Sequence, residues 1–428
     1  MTSKTRAALA ALMLAASALA ITSAQAQDGG TTDSDGSRFQ RPKAATSAKP
    51  AAAATLSSAV GTPLNAAIVA LNAKKFPDAI TAAKTAQTAA KTDYEKMKVN
   101  QILATALAQS GDQAGAVAAA EAAADTQADA IPADEKQQIY FLATALALNA
   151  RHTDKALIYA KQLIAINATD ARSQDVIGKA LYAAGDPSAP AFFQKTVDAA
   201  TAAGKAPSRE SLQMLMSAEI KAKDEASAEK TMVQQVLYYN DKDDWKQIID
   251  VTITTRGVRD IDAVMLGQLL FVSGATISKD DAQLVGETTQ KLALYGDAQQ
   301  AQANGATLQL DAARVAADKA SLPQQITMGA GQNGLFNVKL AEALYGYGMY
   351  PQAETAAKLA QTKGGADASE VAMTIGMAQA MQGKYADAIA TFATVTGGSP
   401  ATPRIAELWT AYAKIKGGLV PGMTQAAK

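Results

Sequence analysis

Four short stretches of this chain have residue types at spacings that could do chemistry. The first is Gly-Ala-Gly-Gln-Asn-Gly at 329–334. It has the spacing G-x-G-x-x-G, which cradles a dinucleotide pyrophosphate when a strand precedes it, a helix follows and an acid lies roughly 20 residues on. Residues 325–328 would be the short strand, 335–344 the helix and Glu354 the acid. The second is Ser227 with Lys230, the S-x-x-K spacing of serine–lysine acyl enzymes. The third is the acidic run Asn240-Asp-Lys-Asp-Asp-Trp245, which invites a calcium reading. The fourth is His152, the one imidazole in the chain.

Each lacks what its chemistry requires. No alternation of strands and helices surrounds 329–334, so no parallel sheet is expected to carry a cofactor. The S-D-N and K-T-G companions of S-x-x-K are missing. The acidic run has no glycine at its sixth position and Val251 at its twelfth, so it reads as a helix N-cap supplied by Asp243 or Asp244. A lone histidine cannot build a multi-histidine metal centre, and His152 falls in an expected exposed inter-helix turn. There is no cysteine, which excludes disulfides, thiol catalysis and thiolate metal sites. No cofactor and no metal are expected, and the chain reads as non-catalytic. Lys+Arg 40 against Asp+Glu 40 leaves no net charge and no electrostatic footprint for nucleic acid or anionic lipid.

The elements that must position any site are helices. From Pro63 onward the chain is almost entirely helix-forming. The clearest pattern is EVAMTIGMAQAMQGKYADAIATFATVTGGSP, with Gly376, Gly383, Tyr385, Ala388, Phe392 and Pro400. Gly376 and Ala388 allow two helices to approach closely, Tyr385 and Phe392 fill the space beside them, Gly383 permits the turn and Pro400 ends the second helix. The preceding stretch repeats the order with Ala341, Gly348, Tyr350, Ala353, Ala357 and Ala360; Ala353 and Ala388 are 388 − 353 = 35 residues apart. This resembles the tetratricopeptide repeat (TPR), a helix–turn–helix unit of about 34 residues. Weaker copies carry Ala67, Ala79, Ala83 and Ala86; then Gly111, Ala116 and Ala120; then Thr144, Ala156, Ala160 and Leu163; then Gly178 and Gly185, with Pro187 and Pro190 disturbing a second helix. A further pair is centred on Ala228. Between Tyr238 and Gln332 helical spacing persists (Trp245, Ile248, Ile249; Ile261, Met265, Leu269) without the repeat signature, and residues 251–254 read as a helix end.

The resemblance implies an all-α, right-handed α-solenoid of helix hairpins with a concave face. The expected organisation is a signal peptide at 1–26, cleaved after Ala26; a disordered Ala/Pro/Ser/Gly-rich tether at 27–62; N-terminal repeats at 63–237; an irregular helical segment at 238–334; C-terminal repeats at 335–400; a capping helix at 401–417; and a tail at 418–428. Lys4 and Arg6, an apolar run from Ala7 to Ile21 and Ala24-Gln25-Ala26 carry the signal reading, hence a periplasmic location. In the capping helix, Ile405, Leu408, Trp409, Tyr412 and Ile415 form one apolar stripe expected to pack on the last repeat.

In the TPR family, first-helix residues line the groove and hold extended or helical peptides. The matching positions here are Asn65, Ile68 and Asn72; Gln101 and Thr105; Phe141, Ala145 and Asn149; Asp175, Lys179 and Tyr182; Val338, Lys339, Glu342 and Tyr345; and Met373, Met377 and Met381. The methionine stripe reads equally as groove or as core. The Lys/Asn/Arg set with which some TPR domains grip C-terminal carboxylates is not reproduced. The implied function is a periplasmic scaffold that binds a protein segment of the cell-envelope machinery, with no nucleic-acid partner and no stable membrane insertion. The alternative is a helical solenoid that binds or processes peptidoglycan or exported polysaccharide; aromatic residues, at 5% of the chain, offer few sugar platforms.

Overall fold

The computed structural model describes residues 55–126, 131–167 and 170–422. The expected signal peptide, the first part of the expected tether and the last residues of the tail lie outside these. The described residues form twenty α-helices and no strand. They are all-α, built from antiparallel helix hairpins in two compact units that divide between Pro187 and Ser188. No described helix is long and apolar enough to cross a membrane.

Unit 1 contains α1 (Ser58–Asn72), α2 (Phe76–Ala89), α3 (Asp93–Ser110), α4 (Gln113–Ala124), α5 (Ala133–Asn149), α6 (Thr153–Asn167) and α7 (Ala171–Ala184). Helix formation begins five residues before Pro63, which sits inside α1. Consecutive helices pack in pairs, and α1 touches α3 as α5 touches α7. The first helices therefore form one inner row. The alanines expected at the hairpin crossings are buried: Ala67, Ala79, Ala83, Ala86, Ala116, Ala120, Ala156 and Ala160. Their short side chains let backbones approach, and the turns between use left-handed Gly111 (φ 94°) and Gly185 (φ 67°). One carboxylate fastens the start of this unit. Glu95 accepts from the Thr92 and Lys91 amides, closing a capping box, and from Ser57 N–H at 3.0 Å and Ser57 O–H. The Ser57 hydroxyl and these backbone amides hold its carboxyl down at about 2.

Unit 2 contains α8 (Ala189–Ala202), α9 (Arg209–Lys221), α10 (Glu225–Tyr239), α11 (Lys242–Ile253), α12 (Asp260–Ser273), α13 (Lys279–Lys291), α14 (Tyr295–Ala303), α15 (Ala312–Gly329), α16 (Gly334–Gly346), α17 (Tyr350–Lys363), α18 (Ala368–Met381), α19 (Tyr385–Phe392) and α20 (Thr402–Lys416). Pro190 starts α8 rather than disturbing it, because a proline in the first helical turn gives up no hydrogen bond. Residues 251–253 are the end of α11, as the periodicity suggests. The N-cap of α11 is Asp241, not Asp243 or Asp244: its side chain accepts from the Asp243 amide at 2.8 Å.

The hairpin read from Gly376, Gly383 and Phe392 forms between α18 and α19. The Gly376 Cα faces the Phe392 ring so closely that a Cβ would overlap it, and Gly383 (φ 77°) makes the turn. Pro400 does not end the second helix; α19 stops at Phe392, and Pro400 lies in the following loop against Gly257. The stripe on α20 is buried and packs on α19 as expected, but α20 also packs on α10 and α12. Trp409 Nε1 donates to the Met265 carbonyl at 3.2 Å, and Arg404 pairs with Glu229 of α10. Unit 2 therefore closes on itself. A large apolar core runs through it from Met232 to Ala413. Helix α12, apolar on all sides of its axis, is buried along nearly its whole length within that core.

Candidate functional site

The inner row of unit 1 keeps side chains of α5 and α7 partly in solvent, whereas α3 has no exposed residue between Met97 and Gln109. Helix α3 presents Tyr94, Lys98, Gln101 and Thr105, spaced four, three and four residues apart and so on one face. Lys98 Nζ lies 3.2 Å from Glu135 Oε2 at the start of α5, and the Tyr94 hydroxyl donates to the same carboxylate at 3.3 Å. Burial first, and the Glu135 charge second, push the Tyr94 hydroxyl up to about 12. Gln101 is 8% exposed, and its side-chain carbonyl oxygen has no hydrogen-bond partner. A buried amide oxygen left this way costs about 1–3 kcal/mol, so this face holds an unsatisfied acceptor.

Farther along the row, Phe141 is half-buried with the Arg172 guanidinium 5.6 Å from its ring centre. Asn149 is exposed at the end of α5. Lys179 is exposed and pairs with Asp175 at 2.7 Å, one turn away on α7; Tyr182 is half-buried. The four expected positions of unit 1, Phe141, Asn149, Lys179 and Tyr182, thus keep side chains at least partly in solvent. Tyr94, Lys98, Glu135 and Arg172 were not among the residues read from sequence. The helical spacing from Gln101 back to Tyr94 is the signal that would have found the first two.

Unit 2 treats the same face differently. Met373 and Met377 are 0% and 2% exposed, in the core, and only Met381 is half-buried. Their expected place in an open groove is corrected: the space in front of α18 is occupied by the apolar core built with α12 and α20, and every residue from Ser369 to Ala380 is buried. Tyr345 is buried, edge-on to Tyr350 at 5.1 Å, and Glu342 is buried too. Lys339 remains exposed at its tip, yet it is committed: its Nζ meets Glu342 at 3.0 Å and Glu370 at 2.8 Å. Burial, opposed by Lys339, pushes the Glu342 carboxyl up to about 8. Arg259 extends this network, reaching Asp262 and Asp367 at 2.9 and 3.0 Å, and Thr402 donates to Asp262 at 3.1 Å. Residues expected to meet a partner here instead join α16, α18, α12 and α20.

The chemistry-like motifs resolve into packing. Residues 325–328 are helical, the last turn of α15. Gly334 begins α16 where a Cβ would run into the Gly364 carbonyl, and Asn333 caps that helix, accepting from the Phe336 amide at 2.9 Å. Asn337 Nδ2 donates to the carbonyls of Gly329 and Asn333 at 3.0 and 2.8 Å. Gly329 and Gly334 serve close approach, and the Gly331 and Gln332 amides are taken by the Met328 and Gly329 carbonyls. Glu354, the would-be ribose acid, is buried among Lys358, Lys384, Gln382 and Gln379. Burial alone would raise its carboxyl; these four donors hold it down at about 2. Ser227 lies in the first turn of α10, its amide donating to the Asp224 cap, with Lys230 exposed. His152, in the α5–α6 turn, has its Nδ1 2.9 Å from Glu121 of α4. Among the described residues no group of three or more histidines and carboxylates is placed to hold a metal ion.

No family model matches the chain. No curated protein matches it either. Among solved structures it is similar to a chain of the Naa15/Naa10 complex bound to HypK-THB, at 13% identity, covering 79% of this chain and 59% of that one, with a TM-score of 0.29. The chain thus spans about three-fifths of the length of that neighbour, and at this score the likeness carries no argument. The TPR-like character rests on the hairpins themselves.

Proposed function

We propose that this protein is a non-catalytic scaffold of the bacterial periplasm, exported through its N-terminal signal, that binds a segment of a protein of the cell-envelope machinery along the inner row of unit 1. The observation that carries the reading is the unpartnered Gln101 oxygen, closed off beside the Lys98–Glu135 pair, in a row whose next helices keep Phe141, Asn149 and Lys179 partly in solvent. A peptide N–H would satisfy that oxygen once the Gln101 amide turns outward from its buried seat. Phe141, backed by Arg172, supplies an apolar plate for a side chain, while Asn149 and Lys179 extend the polar contacts. Many modest contacts on a pre-built surface give affinity at little ordering cost to the scaffold.

A photo-reactive amino acid placed at Asn149 or at Lys179 in the living cell tests this. Both should crosslink to the same envelope protein, whereas the same group at Lys84, on the outer helix α2, should not. Equal labelling from Lys84, or none from the inner row, overturns the reading. N-terminal sequencing of the periplasmic fraction should begin at Gln27; an uncleaved cytoplasmic chain overturns the location.

A further inference from the structure

Residues 306–311 join α14 to α15 without forming helix or turn. Among the described residues, no backbone group of residues 307–310 bonds to another backbone group. Glutamine side chains of the preceding hairpin take their place. Gln283 of α13 accepts from the Thr307 amide at 2.8 Å and reaches the Thr307 carbonyl with its Nε2 at 3.4 Å. Gln302 of α14 donates to the Leu308 carbonyl at 2.8 Å, and Gln290 of α13 donates to the Gln309 carbonyl at 3.1 Å. Leu308 enters a seat floored by Gly286, where a Cβ would come within 2.6 Å of its methyl carbon. Ala282, Val285 and Ala301 are buried around it.

These are the contacts by which a surface recognises polypeptide: amide side chains matched to main-chain groups, and one pocket for one side chain. Three glutamines on two helices serve three consecutive residues, and the pocket exists because position 286 lacks a side chain. We infer that the α13–α14 hairpin is a second polypeptide-binding surface, filled in this structure by the chain's own residues 306–310. The partner it fits is a non-helical segment of another protein carrying leucine between two small or polar residues. The tether keeps the internal segment at an effective concentration of about millimolar or more, so a partner gains the site only when the strap is released. The surface lies wholly within unit 2 and does not depend on the unit 1 reading.

The test replaces residues 306–310 of the full chain with a Gly/Ser sequence of equal length and titrates in a fluorescent Ala-Thr-Leu-Gln-Leu-Asp peptide. The variant should bind at least about tenfold more tightly than wild type, whose site is taken. Adding Gly286→Val should abolish the gain by filling the leucine seat. No binding by a variant whose circular dichroism and melting match wild type overturns the proposal, as does binding indifferent to Gly286→Val. Should the replacement unfold unit 2, hydrogen exchange on wild type decides instead. The Thr307 amide should exchange at least tenfold faster than the amides of α12, through local opening of the strap. Equal rates would mean that the seat never empties without global unfolding, and the proposal fails.

Discussion

Units 1 and 2 begin from the same device, a helix hairpin with small residues at its crossing, and arrive at opposite uses of its inner face. In unit 1 the first helices keep Thr105, Phe141, Asn149 and Lys179 at least partly in solvent. In unit 2 the corresponding helix α18 shows Val371, Met373, Ile375 and Met377, all buried. The difference lies in what is available to cover the face. Unit 2 has α12, an all-round apolar helix that cannot rest in water, and α20, whose stripe reaches α10 and α12 as well as α19. Unit 1 has neither. A repeat therefore does not determine a groove: in unit 2 the face is filled because other helices of the same unit need a partner.

The largest effect should come from forcing apart the tightest approach in the closed unit. A Cβ at position 334 would overlap the backbone carbonyl of Gly364, which has no rotamer to escape through. Gly334→Ala should cost unit 2 more than about 3 kcal/mol, lowering its thermal transition by roughly 6–12 °C for a unit of this size. Scanning calorimetry should show the unit 1 transition unmoved. A loss below about 1 kcal/mol would mean that α16 and α17 are not locked, and the contrast between an open and a closed unit would weaken.

A smaller effect should follow from the charge that the closed unit buries. Asp297 of α14 is 2% exposed; its Oδ1 accepts from Gln268 at 2.8 Å and its Oδ2 has no partner. Burial raises its carboxyl from 3.8 to about 7. The folded state thus binds a proton that the unfolded state has lost, so stability falls as pH rises from about 4 to about 7 and is flat above. Asp297→Asn should remove this dependence, stabilising unit 2 by roughly 1–3 kcal/mol at pH 8 and by nothing at pH 3. Denaturant melts at the two pH values measure it. A variant destabilised equally at both would show that the carboxylate is held by a bond rather than merely tolerated.

Local features were readable from the residues. Alanines at helical spacing, turn glycines at 111, 185, 348 and 383, and the apolar stripe of α20 all took the places their chemistry implies. What could not be read was which surface faces which. Met373 and Met377 carry the same spacing whether they line a groove or fill a core, and the deciding helix lies more than a hundred residues earlier. The role of Lys339 was hidden likewise, because its partner Glu370, which also meets Arg259, comes from another hairpin. The absence of any polar face on residues 260–273 was the one clue in the chain that something else had to surround them.

The smallest and most discriminating change concerns Gln101. If its buried oxygen is kept for a partner, the free protein bears a cost that only binding relieves. Gln101→Leu should then stabilise isolated unit 1 melting by about 0.5–1 kcal/mol, since a side chain of similar size replaces an unsatisfied carbonyl. The same variant should lose the crosslink from Asn149, because a peptide N–H laid against leucine would be left unpaired. Both signs are needed together. A variant that is less stable and still crosslinks would make Gln101 part of the scaffold's own packing, and unit 1 would then differ from unit 2 in the amount of core it contains rather than in the work its inner face performs.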